Sequence, residues 1–162
     1  MKHGSNIMSE TKSKYSGLET REVKSLSEKD IEIIRKGRGG IFGGMAILAE
    51  LNHHPGPIHV LELGEQLDIT DDQRKQTQDI YDEMEKDAKE IGEEFIKIEK
   101  MIDDGFANQD ISDQQLQEYL KKSGELWGKL RFTHLRCHLA TRKILNLEQI
   151  RQYDILRGYS HS

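Results

Sequence analysis

The sequence predicts an all-α protein whose main element is a long antiparallel helical hairpin preceded by short helices. Two segments, 69–73 and 145–149, each place a good N-cap residue (Thr70, Asn146) three positions before a glutamine, which is the capping-box pattern of a helix start. Between them, apolar residues recur at the spacings of three and four that are typical of packed helices. Of the 162 residues, 35% are hydrophobic and 33% are charged, which favours an elongated shape or burial shared with a second copy.

The short elements precede the hairpin. Residues 1–24 are rich in serine and lysine without periodicity, so we expect a flexible segment there and one domain over 25–159. Ser27 and Asp30 form a further capping signal for a helix that ends near Lys36. Pro57 follows a turn and suits the first position of a helix that runs to about Leu67.

The two arms of the hairpin are about equal in length. The first runs from Asp71 to Asp103, and Asp104-Gly105 ends its pattern; Ser112, three residues before Gln115, caps the second. Each arm has about 33 residues, or roughly 50 Å of helix. We define the apolar seam as the residues that recur near heptad spacing: Ile80, Met84, Ala88, Ile91, Phe95, Ile98 and Ile102, and then Leu116, Leu120, Ser123, Trp127, Leu130, His134, Cys137, Thr141 and Ile144.

Charge divides between the arms. Residues 71–104 hold thirteen acidic and six basic side chains, a net charge of −7, whereas residues 112–157 hold five and nine, a net charge of +4. Opposite charges favour arms that lie side by side, although each exposed pair contributes little. The total charge of −5 argues against a nucleic-acid-binding protein, which is normally basic.

Cysteine content and hydropathy exclude several further kinds of site and segment. The single cysteine, Cys137, excludes an intrachain disulfide and a zinc site made of cysteines alone. The apolar stretch 41–51 is too short for a transmembrane segment. The basic residues 35–38 followed by the apolar residues 41–49 mimic a signal peptide, but their position deep in the chain and Glu50 directly after them favour an internal amphipathic helix. Two possibilities stay open: the chain remains in the cytosol, or the sequence is given without its leader.

A cluster of metal-binding residue types lies on the second arm. His134, Cys137 and His138 have the helical spacing i, i+3, i+4 and therefore share one face. His59 and Glu62 form another i, i+3 pair on the preceding helix, near the same end of the hairpin. Mixed ligands of this kind suit Zn, Ni, Co or Cu. Further carboxylates are expected opposite the cluster, from among Asp79, Asp82 and Glu83.

A structural interpretation of the same residues also stays open. In it, His134 and Cys137 only fill the seam, since a free cysteine often packs as an apolar residue, and His138 lies at the surface. His53 and His54, beside Pro55, are expected in a solvated turn. The chain contains neither a Gly-x-Ser-x-Gly nor a His-Glu-x-x-His motif. We therefore expect no enzyme.

The two capping segments resemble the LTxxQ motif of the Spy/CpxP family, with departures at Ile69, Asp71, Asp72, Asn146 and Leu147 from the usual Leu-Thr-Pro-Glu-Gln. The resemblance covers roughly residues 15–159. It includes Tyr15-x-Gly17-x-Glu19-x-Arg21, Ala49-Glu50-Leu51-Asn52, Pro55-Gly56-Pro57-x-His59-Val60-Leu61-Glu62-Leu63 and Tyr153-Asp154-x-Leu156-Arg157-Gly158-Tyr159.

This resemblance implies a periplasmic stress-response protein whose hairpins pair into a four-helix, cradle-like homodimer. Chaperone members of the family hold unfolded client proteins on the concave face. Heavy-metal sensor members bind a transition metal through His and carboxylate side chains and act with a membrane-bound signalling partner; His134 and His138 lie where such members tend to carry ligands. A purely structural dimerisation or adaptor module without a ligand is the alternative.

Overall fold

The computed structural model describes residues 11–41 and 44–159. Within these ranges the regular secondary structure is helical, and no β-strand is present. A single 3₁₀ turn, Leu18–Thr20, precedes six α-helices. These are α1 (Glu28–Arg35), α2 (Ile47–Glu50), α3 (Pro57–Glu62), α4 (Asp71–Ala107), α5 (Asp113–Ile144) and α6 (Leu147–Arg157). The predicted all-α hairpin is confirmed, with α4 and α5 as its two arms. No helix in the described part of the chain is both long enough and apolar enough to cross a membrane.

All four predicted capping signals form. Thr70 accepts a hydrogen bond from the Gln73 N–H (3.0 Å), and the Gln73 side chain accepts one from the Thr70 N–H (2.9 Å). The same reciprocal pattern opens α6 at Asn146 and Gln149. Ser112 and Ser27 cap α5 and α1 in the same way. Because each box satisfies otherwise unpaired helix N–H groups, local sequence alone specifies these four helix starts.

Two helix ends differ from the prediction. α3 ends at Glu62 instead of Leu67; Gly64 follows two residues later, where a Cβ would lie 2.3 Å from the Arg74 guanidinium. α4 continues to Ala107, through Gly105, instead of ending at Asp103. Gly105 lies within the helix, and a Cβ there would lie 2.9 Å from the Ile111 Cβ. The missing side chain therefore leaves room for Ile111 to pack against the helix after the chain reverses. The actual reversal follows at Gln109, whose φ is 57°.

The apolar seam is buried along most of the hairpin. Met84, Ala88 and Phe95 of α4 pack with Leu130 and Cys137 of α5 in the larger hydrophobic core. Towards the tip of the hairpin the prediction is wrong at two positions, since Leu120 is 52% exposed and Leu126, which the predicted seam omits, is buried. An α-helix has 3.6 residues per turn, so the buried side drifts away from a strict heptad pattern.

The N-terminal region packs across α4. Val23 is fully buried, and the Lys24 N–H donates a hydrogen bond to Asp103 (2.7 Å). α1 crosses α4 at Gly92, where a Cβ would lie 2.5 Å from Ile34 Cγ2. The first ten residues of the predicted flexible segment 1–24 lie outside the described residues.

The two capping glutamines also bind each other at the base of the hairpin. Gln73 Nε2 donates to Gln149 Oε1 (2.9 Å), and Gln149 Nε2 donates to Gln73 Oε1 (3.0 Å). Gln73 Nε2 also donates to the Ile144 carbonyl at the end of α5 (3.0 Å). A smaller core containing Val60, Leu67, Leu145, Ile150 and Tyr153 lies beside this pair. The start of α4 is thereby fixed to the junction between α5 and α6.

Candidate metal centre

A cavity of about 250 Å³ opens near the base of the hairpin. One side is formed by α5, and the other sides come from the glycine-rich segment after α1, from α2, from the start of α3, from α4 and from Arg157 of α6. Among the residues that line it are Gly39, Glu50, His59, His134, Cys137 and His138. Four of the five predicted site residues are therefore brought to one cavity.

His138 is held by a backbone carbonyl. Its side chain is buried, and its Nδ1 lies 2.7 Å from the carbonyl oxygen of His54. A carbonyl only accepts hydrogen bonds, so Nδ1 carries the proton and Nε2 keeps its lone pair. Metal-ligating histidines are typically oriented in this way, by a hydrogen bond from the nitrogen that does not face the metal. The surface position that the structural interpretation gave to His138 is wrong.

His134 lies one turn earlier on α5 and is 5% exposed. Its Nε2 is buried and has no hydrogen-bond partner within the described residues. Burial, together with the neighbouring His138, lowers the pKa of His134 from 6.5 to about 4. The imidazole is therefore neutral near pH 7, which is the protonation state that a metal ligand requires.

Two glycines permit this arrangement of the imidazoles. A Cβ on Gly39 would lie 3.1 Å from His134 Nδ1, and a Cβ on Gly56 would lie 3.0 Å from His138 Cε1. Backbone from two separate loops thus approaches both rings so closely that a Cβ at either position would push the ring aside by a few tenths of an ångström. The glycines hold the rings in place without supplying a polar side chain.

Cys137 is buried behind the two histidines. Its thiol donates a weak hydrogen bond to the His134 carbonyl (2.9 Å), and burial raises the pKa of the thiol to about 12. A thiolate is the form that binds metal. In the metal-free protein Cys137 therefore lines the cavity as a neutral thiol.

The predicted carboxylates lie away from the cavity. Glu62 is exposed and pairs with His59 (Nδ1 to Oε2, 2.9 Å), and only His59 of this pair lines the cavity. Asp79, Asp82 and Glu83 are exposed on α4. Glu83 pairs with Arg136, at 3.6 Å between Oε1 and the guanidinium nitrogen.

Glu50, at the end of α2, is the carboxylate that reaches the cavity. Its side chain is 14% exposed, and Oε2 lies 3.7 Å from His138 Nδ1. Oε1 accepts hydrogen bonds from the hydroxyls of Tyr153 (2.6 Å) and Tyr159 (3.0 Å). Glu50 is not among the residues that the sequence predicts for the site. The available signal was a lone acidic residue directly after the apolar stretch 41–49.

The His53-His54 turn is part of the packing instead of being solvated. His53 Nδ1 lies 2.6 Å from Oδ2 of the buried Asp154 on α6. His54 supplies the carbonyl that orients His138. The expected solvated turn is therefore wrong, because α5 and α6 both hold the loop through polar contacts.

No group of three or more His, Cys, Asp or Glu side chains in the described part of the chain is already arranged to hold a metal ion. A metal site with three protein ligands in this part of the chain would therefore require a side chain to move. Comparisons with protein-family models, with curated proteins and with solved structures gave no match.

Proposed function

We propose that this protein is a non-enzymatic binding protein that takes up a transition-metal ion in the cavity at the base of its helical hairpin. His134 and His138 are the primary ligands, and Glu50 is the carboxylate that completes the protein ligand set. Cys137 and His59 line the same cavity as further candidate ligands. Metal-dependent sensing or buffering is the corresponding biological role.

The single observation that carries this proposal is the buried Nε2 of His134, which has no hydrogen-bond partner among the described residues. Burying a polar atom without a hydrogen bond costs about 1–3 kcal/mol. A metal ion that accepts the lone pair removes this cost. His138, four residues later on the same helix, keeps its Nε2 lone pair for the same ion.

The ligand types indicate the class of metal. Two neutral imidazoles favour Zn, Ni, Co or Cu over Mg or Ca, which prefer oxygen ligands. Glu50 adds one carboxylate, and the approach of a cation lowers the cost of deprotonating Cys137. Since the third ligand must move, we expect slower and weaker binding than at a fully formed site.

The test is metal binding by the purified full-length chain, measured by calorimetry and by metal content after dialysis with each of Zn, Ni, Co and Cu. We expect one equivalent per chain and a raised melting temperature. At a metal concentration 100 times the Kd, the stabilisation is about 2.7 kcal/mol. His134→Gln and His138→Gln should each weaken binding at least tenfold, which is the usual effect of removing a ligand or its support.

Matched controls separate the cavity from nearby surface groups. Asp82→Asn removes an exposed carboxylate of α4 that does not line the cavity, so metal affinity should not change. Glu62→Gln tests the predicted exposed pair, whereas Glu50→Gln tests the carboxylate of the cavity. Unchanged affinity in both His134→Gln and His138→Gln, with native circular dichroism, would exclude this site.

Client binding, a cradle-like homodimer and a periplasmic location stay predictions. Large exposed apolar side chains on α5, Phe132 (60%) and Leu139 (55%) among them, are the feature that keeps client binding a candidate. Arg136 lies over the Phe132 ring at 5.6 Å, which is the mixed apolar and charged character expected of a client-holding surface.

A further inference from the structure

The Glu50 carboxylate connects the cavity to the C-terminal end of α6. Oε2 faces His138, whereas Oε1 accepts hydrogen bonds from the Tyr153 and Tyr159 hydroxyls and lies 3.6 Å from Arg157 Nε. Tyr153 and Arg157 of α6 and Tyr159 just after it therefore converge on one oxygen. Any movement of Glu50 towards the histidines must alter these contacts.

The two tyrosine contacts with Glu50 differ in how easily they are lost. Tyr153 is fully buried, and its hydroxyl also lies 3.4 Å from the Gly56 N–H. Tyr159 is only partly buried, after a helix end at Gly158 with a left-handed φ of 82°. Besides Glu50, its hydroxyl has a long contact with the Arg157 guanidinium (3.4 Å). Of the two tyrosine contacts, that of Tyr159 is therefore the one more easily lost.

We propose that metal uptake and the docking of Tyr159 compete for the Glu50 carboxylate, so that an occupied site releases the C-terminal end of α6. This inference rests on the proposed metal site, for which it names an output. A carboxylate oxygen must approach a transition metal to about 2.0–2.2 Å. The two oxygens of a carboxylate are rigidly joined, so a movement of Glu50 that brings Oε2 to a metal held by His134 and His138 also displaces Oε1 and lengthens its contact with Tyr159.

The coupling must be reciprocal. If metal weakens the docking of Tyr159, then loss of the Tyr159 hydrogen bond must strengthen metal binding by the same factor. A hydrogen bond to a charged group is among the stronger ones. We therefore expect Tyr159→Phe to bind metal roughly fivefold more tightly than the wild type, at the low end of typical coupling.

The test measures zinc affinity by calorimetry and amide hydrogen exchange of residues 150–159 with and without zinc, in the full-length chain. Variants are the wild type, Tyr159→Phe and the control Tyr119→Phe, which removes a hydroxyl near the far end of the hairpin. We expect tighter binding in Tyr159→Phe alone, and faster exchange near residue 159 when zinc is bound to the wild type.

The outcomes separate this inference from the metal site itself. If the wild type binds zinc through His134 and His138 but Tyr159→Phe has unchanged or weaker affinity, the competition is refuted and the metal site stands. Weaker binding would mean that Tyr159 supports the ligand carboxylate instead of competing for it. If the wild type binds none of the four metals, both proposals are refuted.

Discussion

Replacing Gln149 by leucine tests whether the paired capping glutamines hold the base of the hairpin together. Gln149 is buried, and leucine has a similar size, so the change removes hydrogen bonds while largely keeping the packing. Three kinds of bond are lost: the cap of the Asn146 N–H (3.0 Å), the two bonds with the Gln73 amide, and a long one to the Leu67 carbonyl (3.4 Å).

The magnitude follows from these bonds. The cap contributes about 1 kcal/mol, and the two amide bonds about 1 kcal/mol each, with an added cost for polar groups left unpaired. We therefore expect the free energy of unfolding to fall by about 3 kcal/mol. Gln115→Leu is the matched control, because Gln115 holds the same capping position but is exposed and contacts only Ser112. It should cost about 1 kcal/mol or less.

Urea unfolding followed by circular dichroism measures the difference. With a slope near 2 kcal/mol/M, the midpoint of Gln149→Leu should lie about 1 M below that of Gln115→Leu. In a double-mutant cycle, Gln73→Leu and Gln149→Leu should cost less together than the sum of the single changes. Equal losses in Gln149→Leu and Gln115→Leu would refute the claim that the tertiary amide pair stabilises the fold.

Two further predictions concern helix packing and pH. Gly92→Ala should destabilise the protein by about 1–3 kcal/mol, since the new Cβ would lie 2.5 Å from Ile34 Cγ2. Gly128→Ala is the control: its Cβ would have nothing within 4 Å, so the change should stabilise the protein by about 0.5–1 kcal/mol. Equal effects of the two changes in thermal melts would contradict the close crossing of α1 and α4 at Gly92. Burial lowers the pKa of His134 to about 4. As the pH falls from about 6.5, the pKa in the unfolded state, towards 4, the unfolded state takes up a proton that the folded state does not. The free energy of unfolding should therefore fall over this range, by on the order of 3 kcal/mol. Unfolding measured with a chelator from pH 4.5 to 7.5 should show a shallower pH dependence for His134→Gln than for the wild type, and parallel curves would contradict it.

The accuracy of the sequence predictions depended on the range of the interactions. Helix starts were predicted correctly because a capping box is closed by residues three positions apart, as Thr70 and Gln73 show. The end of α3 was predicted wrongly. Gly64, just after the observed end, lies beside Arg74, which is ten residues further along the chain. The end of α4 was missed because Gly105 reads as a helix breaker until Ile111 is known to pack against it.

The candidate site shows the same division. Helical spacing placed His134, Cys137 and His138 on one face, and the structure places all three on one cavity. The predicted carboxylates were wrong because pairing the two arms identifies only neighbours that belong to the hairpin. Glu50 belongs to a short helix outside the hairpin, and its position depends on contacts with Tyr153, 103 residues away.

The sequence by itself determined the helical class, the four capped helix starts, the paired arms and the helix face that carries the histidines. These features depend on interactions within a few residues, which composition and spacing encode directly. Only the tertiary structure decided that Gln73 pairs with Gln149, that His138 bonds to the His54 carbonyl, and that Glu50 lies between the histidines and Tyr159. Each of these contacts joins residues 76 or more positions apart, and packing of the whole chain is what brings such residues together.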